Sequence, residues 1–173
     1  MRKLTNNELG RLTIEDFKNV EKTPLILILE NVRSAMNVGS VFRTADSFAL
    51  ARIILTGYTP TPPQREILKT ALGATETVAW EHHEDILSII TTLKNEGVKV
   101  FAIEQAEAAI QLQHFKKPDG VLTAFILGNE VEGVSQTCID LCDGVIEIPQ
   151  FGTKHSLNIS VCAGIVAWQF LNG

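Results

Sequence analysis

The chain is poor in cysteine, with three in 173 residues. An odd and sparse set gives no disulfide framework. Cys138 and Cys142 are four residues apart and can share one face of a helix, where a metal pair is conceivable. Because no histidine or further cysteine lies near them in the sequence, we interpret them, together with Cys162, as ordinary buried thiols and predict no metal site.

Long hydrophobic runs are also missing. The longest apolar stretches, such as residues 121–128 (VLTAFILG), are far shorter than the ~20 residues that a membrane-spanning helix needs. The N-terminal segment carries charges without the apolar centre of a signal peptide. We therefore expect a cytoplasmic protein with no membrane partner, large enough to form a substantial hydrophobic core.

Positive charge is not in excess. Fifteen Lys and Arg residues stand against 20 Asp and Glu residues, which gives a net charge of −5 at pH 7. This balance disfavours broad electrostatic binding to nucleic acid, which usually uses a basic face. It does not exclude a local basic patch, since net charge says nothing about how the charges are distributed.

Glycine-rich phosphate-binding fingerprints are absent from the sequence. The segment GNEVEG at 128–133 lacks the GxGxxG pattern, and the helix after it starts too late for a dinucleotide site. No GxxxxGK[ST] sequence occurs anywhere, which argues against a nucleoside triphosphatase.

The chain does contain an alternation of apolar strands and amphipathic helices, which predicts an α/β fold with a mostly parallel sheet flanked by helices. Asn6 or Asn7 is the expected cap of the first helix. The predicted strands cover 25–29, 52–55, 75–80, 98–103, 121–127 and 144–148, with a further short strand within AIQLQHF (109–115). The predicted helices cover 5–19, 38–49, 65–72, 84–97, 135–142 and 156–171.

Ligands of such sheets bind beyond the carboxyl ends of the strands, so the strand-to-helix junctions are the places to search. The first junction spans residues 30–46. Its Asn37 either caps the following helix or acts in a site. Its Arg43 lies on the polar face of that helix, where it is either a solvated charge, able to pair with Asp46, or a functional cation.

Two later junctions have a similar turn-like composition. Gly128 ends a buried strand and lets a ligand approach the backbone, although a simple turn before a capping Ser135 explains the same residues. In the third junction, Ser156 is the expected N-cap of the last helix. Capping does not explain Asn158, a modest helix former that we expect in the first turn of that helix.

Together the three junctions resemble the three ordered sequence motifs of the SpoU (TrmH) family of RNA ribose 2′-O-methyltransferases, part of the SPOUT superfamily. NVGSVFRTA (37–45) is similar to the family's Asn-x-Gly-x-x-x-Arg-Thr-Ala. LGNEVEG (127–133) is similar to its Leu-Gly-Asn-Glu-x-x-Gly, and IPQFGTKHSLNIS (148–160) to its Ile-Pro-x-x-Gly-x-x-x-Ser-Leu-Asn-x-Ser. One departure is Gln150, where the family often has Met. The resemblance covers nearly the whole chain.

The resemblance implies a SPOUT-type α/β knot, in which the C-terminal part of the chain forms a trefoil knot, a feature that is rare among proteins. We predict an N-terminal helical extension, 1–24, and a SPOUT methyltransferase domain, 25–173. The implied cofactor is S-adenosyl-L-methionine, and the implied assembly is a homodimer with the site near the subunit interface. By motif position, the cofactor contacts would be Leu127, Gly128, Ile148, Ser156 and Leu157, with Glu104 as a further candidate for the pocket wall.

The resemblance also implies that Arg43 is the catalytic arginine, with Asn37, Glu130, Ser156 and Asn158 as its motif companions. An arginine, whose pKa exceeds ~12, is a poor general base. We therefore expect Arg43 to stabilise the developing alkoxide or to hold an adjacent phosphate, oriented by the two asparagines and by Glu130. The candidates for RNA binding are Arg33, Arg43, Arg65, Lys69 and Lys154, with Arg2, Lys3, Arg11, Lys18 and Lys22 in the N-terminal segment.

Three functions stay open from the sequence. The first is S-adenosylmethionine-dependent 2′-O-methylation of a ribose in tRNA or rRNA. The second is a SPOUT-fold protein that binds RNA without catalysis, against which the presence of Arg43, Glu130 and Asn158 argues. The third is a small-molecule methyltransferase or another nucleotide-binding α/β enzyme, and the missing glycine-rich fingerprint counts against the nucleotide version.

Overall fold

The computed structural model describes residues 1–173, apart from the side chains of residues 6 and 7. In the described chain, seven strands form one sheet in which every neighbouring pair is parallel. The sheet order is β3-β2-β1-β6-β4-β7-β5. The strands are β1 Thr23–Glu30, β2 Leu50–Thr56, β3 Trp80–His83, β4 Lys99–Ile103, β5 Ile110–Gln111, β6 Thr123–Leu127 and β7 Gly144–Glu147. The predicted α/β class with a parallel sheet is confirmed.

Helices connect and cover these strands. Short 3₁₀ helices occupy Asn6–Leu9 and Leu112–His114. Within the described residues, no helix has the length and apolar character needed to cross a membrane. The α-helices are α1 Ile14–Asn19, α2 Ala35–Ser47, α3 Arg65–Ala71, α4 Ala74–Thr77, α5 Ile86–Asn95, α6 Gln136–Leu141 and α7 Ile159–Asn172.

The side chains of β1 alternate between two hydrophobic cores, as the two-residue period of a strand requires. Leu25, Leu27 and Leu29 belong to the core that includes α2 and α7. Ile26 and Ile28 belong to the core on the other face, with α5 and α6. A strand that is apolar on both faces must be covered on both, which explains the helical layers on either side of the sheet.

The order in which the chain adds strands to the sheet changes direction at the centre of the sheet. β2 and β3 follow β1 on one side, whereas β6 lies on the other side of β1, between it and β4. The carboxyl ends of β1, β6 and β4 therefore lie side by side. In parallel sheets, ligands bind beside such a switch point, so the first two sequence junctions meet where a site is expected.

One predicted strand is wrong in its position. Residues 75–80 were expected to be extended, but α4 occupies Ala74–Thr77 and the strand β3 starts only at Trp80. Gly73 has a left-handed φ of 91° and is the N-cap of α4, which follows α3 along the chain. The hydroxyl of Thr77 donates to a carboxylate oxygen of Asp46 at 2.5 Å, which fixes α4 against α2. A short apolar run cannot distinguish helix from strand by periodicity alone.

Other element boundaries also differ from the predictions. The expected helix 5–19 is interrupted at Gly10, where φ is 57°, so that only Ile14–Asn19 is α-helical. The predicted caps Asn6 and Asn7 lie outside the described side chains. AIQLQHF is extended only at Ile110–Gln111 before it turns into a 3₁₀ helix.

Gly39 of the first motif is required by packing between α2 and α3. A Cβ atom at this position would overlap the hydroxyl of Thr70 and the carbonyl oxygen of Ile67. We expect Gly39→Ala to lower the free energy of unfolding by about 2 kcal/mol, because the overlap outweighs the better helix propensity of alanine. Urea denaturation measures this. Ser40→Ala, one residue further along α2, is the control and should change the free energy by less than ~0.5 kcal/mol.

Candidate functional site

A cleft of about 410 Å³ opens beyond the carboxyl ends of β4, β6 and β7. Its walls come from the end of β4, from the loop 128–135 after β6, and from the loop 148–158 between β7 and α7. The structure brings all six predicted cofactor residues to this one cleft: Glu104, Leu127, Gly128, Ile148, Ser156 and Leu157. Of the five predicted catalytic residues, three line this cleft: Glu130, Asn158 and again Ser156.

The loop 128–135 begins with a tight hairpin. The backbone groups of Asn129 and Gly133 exchange two hydrogen bonds, at 3.0 and 2.9 Å. A Cβ atom on Gly128 would overlap the backbone of Gly133 and Val134. The glycine that we expected to admit a ligand is therefore also needed for the loop to pack against itself.

The Asn129 side chain fills the inside of this hairpin and is almost fully buried. Its carbonyl oxygen accepts hydrogen bonds from the N–H groups of Val131, at 2.8 Å, and Glu132, at 3.2 Å. Its amide donates to the carbonyl oxygen of Asn31 and to the hydroxyl of Tyr58, both at 2.8 Å. Asn129 thus ties the second junction to the first one.

Three side chains, one from each motif, form a hydrogen-bonded chain at the edge of the cleft. The Asn158 amide donates to the side-chain oxygen of Asn37 at 3.1 Å. The Asn37 amide in turn donates to Oε1 of Glu130 at 3.1 Å. We call Asn158, Asn37 and Glu130 the polar relay. It joins motifs that are 93 and 121 residues apart in the sequence.

The Glu130 carboxylate also receives two backbone hydrogen bonds from the residues that precede α2. The N–H groups of Arg33 and Ser34 donate to it at 2.9 and 3.1 Å. Partial burial acts to raise the pKa of Glu130, but these N–H groups and the Asn37 amide outweigh it, so that the pKa lies below its ordinary value of 4.5. Glu130 is therefore a carboxylate at neutral pH, held in place by three donors: the N–H groups of Arg33 and Ser34 and the side-chain amide of Asn37.

This pKa shift predicts a pH-dependent contribution of Glu130 to stability. Since the folded-state pKa is lowered, the contribution is present above the ordinary pKa and is lost as the pH falls through the lowered value. Glu130→Gln should lower the free energy of unfolding by about 1 kcal/mol at neutral pH, a small value because the side chain is exposed.

Urea denaturation at pH 7 and at a pH near 3 measures the difference between the wild type and this variant. The difference should shrink at the lower pH, and an equal difference at both would contradict the assignment. Glu132→Gln is the matched control, because Glu132 lines the same cleft and accepts no side-chain hydrogen bond in the described structure.

Ser135 is the N-cap of α6, as one interpretation of the second junction had it, but the capping roles considered for Ser156 and Asn37 are wrong. α7 begins at Ile159 and its N-cap is Asn158, whose side-chain oxygen accepts from the N–H of Ser160 at 2.9 Å. Ser156 lies before the cap, exposed in the cleft wall. α2 begins at Ala35 and is capped by Ser34, so Asn37 lies within its first turn.

Arg43 lies in a second cleft, of about 530 Å³, on the other side of the start of α7. This cleft is lined by Lys69 and by hydroxyl groups, including those of Ser40 and Ser160. The predicted pair with Asp46 does not form: within the described residues, the guanidinium of Arg43 has no ion pair or hydrogen bond. Arg43 is six residues beyond Asn37 on α2, so the two side chains point to different sides of the helix.

The other predicted RNA-binding cations do not form one patch. Arg65, at the start of α3, and Lys154, in the loop 148–158, are both exposed, and neither lines the cleft of Arg43. Arg33 is exposed next to Glu130. In the N-terminal segment, Arg2 pairs with Glu8 at 2.5 Å. Lys69 lines the same cleft as Arg43, and Arg11 lines an adjoining cleft that Arg43 also borders.

Several residues that shape the cleft gave no functional signal in the sequence. Gln105 donates from its side-chain amide to the carbonyl oxygen of His155 at 2.6 Å, which fixes the loop 148–158 to the end of β4. Glu30, at the end of β1, and Tyr58, in the turn after β2, contact the loop 128–135. Each is a polar residue at a strand end, and that position is the only signal by which they could have been found.

The three cysteines are partly or fully buried free thiols. Burial raises the pKa of Cys138 and of Cys142 to about 12, and that of Cys162 to about 11. Such thiols remain protonated at neutral pH and are poor nucleophiles and metal ligands. Among the described residues, no group of three or more His, Cys, Asp or Glu side chains could hold a metal ion.

Comparison with protein families agrees with this arrangement. The family model described as the SpoU rRNA Methylase family matches residues 24–168, a range that contains all three junctions. The chain belongs to this family. The three residues of the polar relay all lie within the matched range.

Named relatives of this SpoU family member modify two kinds of RNA. The chain is 31% identical over 154 residues to the 23S rRNA (guanosine-2′-O-)-methyltransferase RlmB of Neisseria meningitidis, covering 88% of this chain and 60% of the relative. It is 31% identical over 167 residues to the tRNA (guanosine(18)-2′-O)-methyltransferase of Thermus thermophilus, covering 94% of this chain and 81% of the relative. It spans under two thirds of the length of the first of these.

The fold also matches solved structures. The AdoMet-bound rRNA methyltransferase from Sinorhizobium meliloti superimposes with a TM-score of 0.81 at 23% sequence identity. The match covers 90% of this chain and 59% of that protein. At this level of identity the likeness supports the fold.

Proposed function

We propose that the protein is an S-adenosyl-L-methionine-dependent RNA methyltransferase that methylates a ribose 2′-hydroxyl in tRNA or rRNA. The observation that carries the proposal is the polar relay. Its three members come from three distant motifs, yet they meet at the rim of one cleft at the switch point of the sheet. The named relatives, which act on rRNA or tRNA riboses, support the same reaction.

The composition of the first cleft fits the proposed cofactor. Its volume, about 410 Å³, is in the usual range for small-molecule sites. Leu127, Ile148 and Leu157 provide apolar surface for an adenine ring. The cofactor supplies a methyl group carried on a positively charged sulfur atom.

The charges of the cleft separate this cofactor from nucleotide phosphates. Glu104, Glu130 and Glu132 line the cleft, and among the residues that the structure describes no lysine or arginine does. Three carboxylates favour a cationic ligand and disfavour a polyphosphate. This observation argues against the nucleotide-binding version of the third function.

The proposed role of Arg43 is electrostatic. A ribose hydroxyl must lose its proton to become an effective nucleophile. A fixed guanidinium beside the hydroxyl would stabilise the alkoxide oxygen as its negative charge develops, or would hold the neighbouring phosphate. Lys69 and the hydroxyl groups of Ser40 and Ser160 lie in the same cleft and are suited to a phosphate. We further propose Arg33, Arg65 and Lys154 as outer contacts to RNA.

A homodimer explains why Arg43 and the cofactor cleft are separate in one chain. Arg43 does not line the first cleft, and the first cleft contains no cation to stabilise an alkoxide. α7, which separates the two clefts, exposes the apolar side chains of Val161, Ile165 and Trp168 on one face. We propose that a second copy covers this face and brings its own Arg43 to the cofactor cleft.

Two further parts of the proposal rest on the family resemblance. They are the trefoil knot and the division into an N-terminal helical extension, 1–24, and a methyltransferase domain, 25–173. A cytoplasmic location is also proposed, and it is supported by the named relatives, which modify rRNA or tRNA. The knot would be formed where α7 passes the loop 128–135.

The proposal is tested in two steps. Calorimetric titration with S-adenosylmethionine should show binding to the purified protein. Incubation with methyl-labelled cofactor and total RNA should then transfer label, and mapping of the labelled nucleotide would identify the RNA. Binding of RNA without any transfer would favour the non-catalytic alternative, and the absence of cofactor binding would exclude the methyl-transfer function.

A further inference from the structure

Two carboxylates, one from the strand on each side of β6, hold the end of the loop 128–135. Glu30 is the last residue of β1, and Glu104 directly follows β4. β6 lies between these two strands and leads into the loop. The loop is therefore held from both sides as it leaves the sheet.

Glu30 is the more unusual of the two, because only 3% of it is exposed. Its Oε2 accepts a hydrogen bond from the N–H of Ser135 at 3.1 Å. Its Oε1 accepts one from the thiol of Cys138 at 3.3 Å. No ion pair involves Glu30 in the described structure. Burying a carboxylate without a cation is costly, so these two donors have to offset that cost.

Glu104 accepts a hydrogen bond from Val134, the residue before Ser135. Its Oε2 accepts from the N–H of Val134 at 3.0 Å, and its Oε1 accepts from the N–H of Gln105 at 2.8 Å. A Cβ atom on Gly133 would overlap the same carboxylate. Consecutive N–H groups, those of Val134 and Ser135, are thus bound by carboxylates from two different strands.

We propose that Glu30 is a positioning residue of the cofactor cleft, acting from beneath the loop 128–135 without touching the ligand. By fixing the N–H of Ser135, it holds the loop in the conformation that presents Gly128 to the cleft and Glu130 to the polar relay. The inference rests on the proposed cofactor, and it adds a residue that lies outside all three motifs.

Loss of Glu30 would leave the N–H of Ser135 without a buried partner. The loop would then populate other conformations, and a ligand that needs the ordered one binds more weakly by the fraction that stays ordered. We expect Glu30→Leu to raise the Kd of S-adenosylmethionine at least ~10-fold. The Kd of RNA should change by less than ~2-fold, because the cations proposed to bind it lie outside this loop.

Asp143→Leu is the matched control. Asp143 accepts a hydrogen bond from the N–H of Val100 at 2.9 Å, so this variant removes the same kind of backbone contact, together with the ion pairs of Asp143 to Lys94 and Lys99. It does so at the opposite end of β4, away from the cleft. It should lower the melting temperature without changing the cofactor Kd. Equal weakening of cofactor binding by both variants would show general destabilisation and overturn the proposal.

Amide hydrogen exchange gives a second measurement that does not depend on the cofactor. Glu30→Leu should accelerate exchange in the loop 128–135 relative to β6, and Asp143→Leu should not. Unchanged exchange in that loop would overturn the inference. If the wild type does not bind S-adenosylmethionine but the exchange result holds, the proposed function fails while the role of Glu30 in ordering the loop stands.

A second variant covers the case in which Glu30→Leu does not fold. Ser135→Pro removes the same hydrogen bond from the donor side, at a residue whose φ of −62° suits proline. It should accelerate exchange in the loop and raise the cofactor Kd in the same direction. Wild-type affinity and exchange in this variant would contradict the proposal.

Discussion

Arg43→Ala is expected to lower the rate of methyl transfer to RNA by ~10²–10³-fold while leaving the Kd of S-adenosylmethionine within ~2-fold of the wild type. The guanidinium is the proposed source of positive charge for the developing alkoxide, and it lies outside the cofactor cleft. Single-turnover transfer of labelled methyl groups and cofactor titration measure the two quantities separately.

Two variants at this cleft serve as controls. Arg43→Lys keeps the charge but loses the planar set of donors, so it should restore only part of the rate. Lys69→Ala removes the neighbouring cation and should mainly raise the KM for RNA. Near-normal turnover of Arg43→Ala with intact cofactor binding would exclude a catalytic role for this arginine.

A heterodimer of two inactive variants is expected to recover about half of the wild-type activity, because one of its two sites would be intact. One subunit carries Arg43→Ala, and the other carries Leu157→Arg, which fills the cofactor cleft. If each site combines Arg43 of one subunit with the cleft of the other, one site of this heterodimer contains neither change. Two affinity tags allow the heterodimer to be purified away from both homodimers.

The reciprocal heterodimer makes the result decisive. Here one subunit carries both substitutions and its partner is wild type. Shared sites would leave this heterodimer inactive, since each site would contain one of the two changes. Sites formed within one subunit predict the opposite pattern, with an inactive first heterodimer and about half of the activity in the second. A monomer in solution would contradict the dimer itself.

The sequence predicted the central strands β1 and β6 and the parallel sheet well. Both strands are apolar along most of their length, which is the pattern typical of buried parallel strands. It predicted the region 75–80 poorly, because the choice between α4 and β3 depends on a hydrogen bond from Thr77 to Asp46, which is 31 residues away in the sequence. Local patterns carry no information about such contacts.

The candidate site, too, was predicted from the sequence only in part. Motif similarity brought Asn37, Glu130 and Asn158 together before any geometry was known, although the position of each hydrogen bond could not be foreseen. Glu30 could not have been found in this way. In the sequence it resembles an ordinary polar residue at the end of a strand. Its proposed role follows only from its hydrogen bond to Ser135, in the loop after β6.

The position of Asn158 at the start of α7 gives the polar relay a direction. Its side-chain oxygen is committed to the N–H and the hydroxyl of Ser160, at 2.9 and 2.6 Å, so its amide nitrogen must face Asn37. Asn37 therefore turns its oxygen to Asn158 and its nitrogen to Glu130. The orientation of both amides, which electron density rarely distinguishes, is here set by the polarity of the helix. Both hydrogen bonds of the polar relay are donated in the direction from α7 towards the carboxylate of Glu130.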